Sequence, residues 1–221
     1  MKFLSAVKQN KHGLLMLYFP LHFLWYEILR IANANNPNVW LIASPLDEHI
    51  PFCEWFIFPY IIWYLYIAFM LIYSFNKSKR EFLRTDLMLT ASMFLPMLFC
   101  TLVPNGIPIS FRPDIAALGR ENIALKLVEL IYLADSPPLN VLPSVHSSVS
   151  CALFFSAMRS ESLKGKHFSK VLAGALSLSI VLSTVLIKQH SVIDALVGIA
   201  VASLVLIADI VIEKIIEKKQ R

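Results

Sequence analysis

Two stretches of the chain hold the residue types that group-transfer chemistry needs. The first, Ser183-Thr-Val-Leu-Ile-Lys-Gln-His-Ser-Val-Ile-Asp194, puts Lys188, His190 and Asp194 at the head of an apolar run. His190 and Asp194 are four apart, so a helix through them places both on one face. A carboxylate there accepts a hydrogen bond from one imidazole nitrogen, which fixes the tautomer and leaves the other nitrogen free to attack or to take a proton. The second stretch, Asn140-Val-Leu-Pro-Ser-Val-His146, sets another histidine just behind a Pro-Ser pair. Phosphoryl transfer needs a nucleophile, an acid for the leaving oxygen and positive charge around the phosphate. His190 fits the nucleophile, His146 the acid, and Arg112 and Lys188 the charge. Ser144 and the amides that open the following helix suit phosphate oxygens. Asp135 and Asn140 are read as shaping the loop behind these groups, Asn140 with a hydrogen bond towards them.

The elements that must position these residues are hydrophobic. Of the 221 residues, 57% are apolar and only 16% charged, which excludes an ordinary soluble domain. Six apolar runs approach or exceed the length of a bilayer span, at about residues 13–32, 52–75, 86–103, 144–158, 171–187 and 190–212. The expectation is an all-α integral membrane protein, a single domain over residues 1–221 with six transmembrane helices. Lys and Arg crowd the amino terminus, the 76–84 and 159–170 connections and the tail, whereas the opposite loops carry few. By the positive-inside rule both termini are then cytoplasmic. That topology sends His146, His190 and the Arg112 loop to the outer membrane face, with the outer loop 104–145 contributing part of the active site. Within that loop, residues 120–133 read as a short amphipathic helix, and Pro96 is expected to kink the third span.

The remaining polar residues read more plainly. The net charge of +5 is spread over short loops and is no footprint for nucleic acid. Cys53, Cys100 and Cys151 have no CxxC spacing and read as structural thiols. His22, His49 and His167 read as structural or interfacial, as do Asp47 and Glu54; Asp209 lies nearer the cytoplasmic end and is given no chemistry. Glu27 and Arg30 read as interfacial or as a pair. The first apolar run is too long and aromatic for a cleavable signal and is expected to remain as a span. Short loops without targeting extensions point to a bacterial plasma membrane.

Pro143-Ser144-Val145-His146 and Ser183-x6-His190-x3-Asp194 resemble the second and third motifs of the type 2 phosphatidic acid phosphatase superfamily. The resemblance covers roughly residues 104–198 in motif and the whole chain in helix layout. It implies a metal-independent, cofactor-free lipid phosphatase. In such an enzyme the histidine matching His190 forms a phosphohistidine, the one matching His146 protonates the departing alcohol, and the aspartate matching Asp194 holds the nucleophile. The first motif's Arg-Pro is present as Arg112-Pro113, but its lysine position is Asn105, and the third motif's arginine position is Thr184; Lys188 is read as replacing one of these cations. The pattern from Asp135 to His146, with Lys188-Gln-His190, is similar to the branch of inositol phosphorylceramide synthase-like and sphingomyelin synthase-like phosphotransferases. That implies an alcohol as alternative acceptor. The implied partners are a lipid phosphate and membrane lipids. Two readings from other classes stay open: a b-type cytochrome with His146 and His190 as axial ligands, and a non-catalytic membrane scaffold.

Overall fold

The computed structural model describes residues 11–220; the basic amino-terminal stretch with Lys2 and Lys8 lies outside the described residues. The protein is about 76% helical. In chain order the α-helices are α1 (Tyr18–Asn33), α2 (Pro45–His49), α3 (Ile57–Lys77), α4 (Lys79–Leu102), α5 (Ile123–Ala134), α6 (Val145–Arg159), α7 (His167–Leu186) and α8 (Val192–Gln220). Two-residue strands β1 (Trp40–Leu41) and β2 (Asn105–Gly106) pair in parallel and tie the 34–44 and 103–122 connections together. Among the described residues five stretches, at 13–33, 54–77, 79–102, 167–186 and 192–219, are helices long and apolar enough to cross a membrane.

α6 is shorter than any of these five. Its 15 residues span about 22 Å at 1.5 Å per residue. It occupies the middle of the bundle, packed against α4, α7 and α8. Its sequence is suited to that place. Ser147, Ser148, Ser150, Ala152, Ser156 and Ala157 are all buried, and small residues let neighbouring backbones approach. The hydroxyls then make cross-helix bonds. Ser156 and Thr85 hydroxyls lie 2.7 Å apart, and Ser177 Oγ donates to the Ser150 carbonyl at 2.8 Å. Pro96, inside α4, has no N–H to give the Ser92 carbonyl four residues earlier. Ser148 Oγ supplies that missing donor at 2.6 Å.

The closest approach lies at the head of α8. A Cβ on Gly198 would stand 2.5 Å from the Ser144 carbonyl oxygen and 2.9 Å from Ser147 Cβ. Only hydrogen fits there, so the first turns of α8 lie against the start of α6. The Ser144 N–H donates to the Asp194 carbonyl at 3.0 Å across the same junction.

The opposite end of the bundle is held by charge. Arg159 Nε donates to Asp209 Oδ2 at 2.8 Å, and its other arm pairs with Glu213. Arg84 binds the same two carboxylates, and Arg80 reaches Glu213 at 2.8 Å from a solvent-facing position. Asp209 therefore joins α4, α6 and α8. The basic 76–84 stretch, expected as a loop, is almost wholly helical. Only Ser78 interrupts it, accepting the Glu81 N–H as cap of α4.

Two outcomes follow. Gly198→Ala is expected to lower the melting temperature in detergent by the equivalent of about 1–3 kcal/mol, as overpacking against backbone does. Gly174→Ala, whose Cβ meets only the Phe154 ring edge at 3.1 Å, is the tolerated control. In the charge network, Glu213→Ala leaves two part-buried guanidinium groups sharing Asp209 alone and is expected to lose about 1–2 kcal/mol, whereas Arg80→Ala, exposed at 72%, changes melting little.

Candidate active site

The chain between α7 and α8 makes a tight reversal. Lys188 takes the left-handed conformation at φ 55°, and the Thr184 carbonyl accepts both the Gln189 and His190 N–H groups, at 2.9 and 3.0 Å. Thr184 thus positions the site through its backbone; its hydroxyl turns back to Val181. α8 begins only at Val192, so His190 lies outside the helix rather than on one helical face with Asp194. The physical cause is a cap. Asp194 Oδ2 accepts the Ser191 N–H at 2.9 Å, and Ser191 Oγ accepts from Ile193 N at 3.3 Å, which starts the helix after His190. His190 Nδ1 still lies 3.5 Å from Asp194 Oδ2, close enough for attraction but long for a hydrogen bond.

His146 sits in the first turn of α6, capped by Ser144, whose hydroxyl accepts the Ser147 N–H at 3.3 Å. Its ring lies between Tyr60 and Trp63, with centroids 4.4 and 4.2 Å away, and 5.9 Å from the His190 ring. Both histidines line a pocket of about 210 Å³ with His22, Tyr26, Asn140 and Gln189 among its walls. Five buried atoms on these residues have no partner: His22 Nδ1, Asn140 Oδ1, His146 Nε2, Gln189 Nε2 and His190 Nδ1. Buried polar atoms are nearly always paired, so these make the cavity a candidate binding site, although His190 Nδ1 faces Asp194. His22, expected to be structural, belongs to this pocket. Its four-residue spacing to Tyr26 within an apolar run was the available signal.

The cations are placed differently from expectation. Arg112 Nη2 binds Asp135 Oδ2 at 2.7 Å and also Gln189 Oε1; Nη1 donates to the Asp135 carbonyl at 2.8 Å, and the group lies 4.5 Å over the Tyr132 ring. Asp135 also accepts the Tyr26 hydroxyl. Burial pushes its carboxyl above the usual carboxylate range, while the bonds from Tyr26 and Arg112 pull it back. Arg112 therefore backs the pocket through Gln189 instead of lining it. Lys188 points away altogether. Its Nζ donates to the Asp47 and Ile50 carbonyls, at 2.8 and 2.6 Å, and lies 5.3 Å from the Phe111 ring. Burial lowers its pKa, and the nearby Asp47 charge opposes that.

Asn105 and Asp47 do structural work. Asn105 Oδ1 accepts the Val141 and Leu142 N–H groups, at 3.0 and 2.8 Å, and its Nδ2 donates to the Leu142 and Val103 carbonyls. It clamps the loop that delivers Ser144. Asp47 is 4% exposed and accepts the Ser44 N–H at 2.8 Å, the Ser191 hydroxyl at 2.6 Å and the Val192 N–H at 2.9 Å. One carboxylate thus caps α2 and the start of α8 together. Glu54 accepts from Arg120 and Asn122. Glu27 pairs with Arg30, which also reaches the Ser136 carbonyl. The three thiols are free.

Asp47→Ala strands one buried donor, the Ser191 hydroxyl, and two half-buried ones, the Ser44 and Val192 N–H groups, and is expected to lower stability by on the order of 3 kcal/mol in detergent melts. Ser191→Ala should lose about a third of that. Comparison with protein-family models, curated proteins and solved structures finds no match, so the functional reading stands on the motifs and this geometry.

Proposed function

We propose that the protein is a membrane enzyme of the type 2 phosphatidic acid phosphatase kind, hydrolysing a lipid phosphate without a metal through a phosphohistidine on His190. The observation that carries the reading is the meeting of His146 and His190, drawn from two distant segments, at one pocket with several unpartnered polar atoms, with Asp194 buried behind His190. In this mechanism Asp194 lies on the Nδ1 side of His190, leaving Nε2 to attack phosphorus. The N–P bond forms as the P–O bond to the lipid breaks, and protonated His146 gives its proton to the leaving alkoxide. His146 then takes a proton from water, the water oxygen bonds to phosphorus, and the N–P bond breaks to release phosphate.

α6 is taken as the sixth span. Because protein surrounds it on several sides, it need not match the bilayer's hydrocarbon thickness by itself. Arginine and lysine concentrate at the α4 start, the α6–α7 connection and the α8 end, which supports a cytoplasmic side there and an outward-facing pocket in a plasma membrane. The aromatic wall of Phe23, Tyr60, Trp63 and Tyr64 suits an amphiphile whose tail remains in lipid.

Purified protein in detergent with EDTA is expected to release phosphate from at least one of phosphatidic acid, phosphatidylglycerol phosphate or a polyprenyl diphosphate. His190→Ala and His146→Ala should lose about 10³-fold or more in rate, with unchanged melting for a folded control. Turnover only when a second lipid or alcohol is added would convert hydrolysis into headgroup transfer. Absence of both would sink the phosphoryl reading.

A further inference from the structure

We infer that Gln189 is a fixed hydrogen-bond donor to an oxygen of the bound phosphoryl group, oriented by Arg112; this rests on the reading of His190 as the phosphoryl acceptor. The side chain is 2% exposed, and its Oε1 accepts from Arg112 Nη2. A guanidinium has donors only, so the amide oxygen must face it. That settles the amide's orientation and leaves Nε2 as the other end, buried, without a partner, on a residue that lines the same pocket as His146 and His190.

Neither end of this arrangement is loose. The Gln189 N–H is bound to the Thr184 carbonyl at 2.9 Å. Arg112 is bound to the Asp135 carboxylate and carbonyl and covers the Tyr132 ring, so it does not need the ligand to hold it in place. The guanidinium polarises the amide, which makes Nε2 a stronger donor. The other amide in the wall has the opposite sense. Asn140 Nδ2 faces the Tyr26 carbonyl, leaving Oδ1 unpartnered, and an acceptor is no ligand for an anionic oxygen. Of the two amides in the wall, Gln189 is therefore the one that can serve a phosphoryl oxygen; the indole N–H of Trp63 is also unpartnered in this wall, but no charged group orients it. Lys188, beside it in sequence, is absent from the lining and engaged elsewhere. Arg112's charge reaches the pocket through a neutral amide.

The test is orthovanadate binding to wild type, Gln189→Glu and Gln189→Met in detergent at neutral pH, read by calorimetry and by intrinsic tryptophan fluorescence. Melting curves run beside each. Gln189→Glu keeps an acceptor for Arg112 and so preserves the fold, while placing negative charge where the donor stood. It is expected to weaken binding at least about 30-fold, ~2 kcal/mol; Gln189→Met, which removes the donor without adding charge, is expected to weaken it about tenfold. If the Glu variant fails to fold, the Met variant alone decides. Affinities within twofold of a wild type that binds vanadate overturn the role of Gln189 and leave the phosphoryl reading standing. A wild type that neither binds vanadate nor releases phosphate overturns both.

Discussion

The site depends on a backbone-to-backbone contact. Gly198 lets the first turns of α8 lie against the Ser144 carbonyl, and the Ser144 N–H reaches the Asp194 carbonyl at 3.0 Å. In that one junction the start of α6, with His146, meets the start of α8, with Asp194 and the preceding His190. A side chain at 198 would hold the two helices apart. The hydroxyls of Ser148 and Ser156, bonded to α4, keep α6 from drifting along its neighbours. A helix interface made of Leu and Ile would pack but would not fix register in this way. The dispersion contacts are non-directional, whereas each hydroxyl bonds a particular atom of α4.

Around that junction the connections are held by polar groups whose bonds are nearly complete. Asn105 serves the 139–143 loop, Asp47 serves two helix starts, and Lys188 spends its ammonium on two carbonyls. Each would be costly to leave unpaired when buried. The histidine pocket is lined differently: His22, Trp63, Asn140, His146, Gln189 and His190 each keep a buried polar atom without a partner, as do some residues behind the wall such as Ser147, Ser150 and Asp194.

Much of the fold was legible in the sequence. The apolar runs, the amphipathic 120–133 segment and the meeting of His146 with His190 rest on long hydrophobic periods and on topology, which survive local detail. The rest turned on local bonds. Periodicity alone extended the last helix back to His190, yet the Ser191-x-x-Asp194 cap starts it two residues later. Lys188 and Arg112 carried the right charge, but charge does not reveal direction. The left-handed turn at Lys188 swings its side chain towards the 47–50 loop, and Asp135 claims Arg112. Gln189 was passed over because an amide has no chemistry by composition. It gains a role only once Arg112 fixes which end faces inward.

These placements bear on how a transition state would be stabilised. A free lysine or arginine in so enclosed a cavity would need its own counter-ion while the site is empty, and burying an unpaired charge is unfavourable. The protein instead pairs Arg112 with Asp135 behind the wall and presents a neutral amide, with imidazoles that take charge only when protonated. Fixed dipoles of this kind need no reorganisation as charge develops on the phosphoryl oxygens. They act most strongly where water is excluded, as between the rings of Tyr60, Trp63 and His146. That Asn105 and Thr184 are uncharged fits the same constraint. Those positions are buried in the frame and occupied by bonds that hold the site together, so the charge had to come from further back, through Gln189.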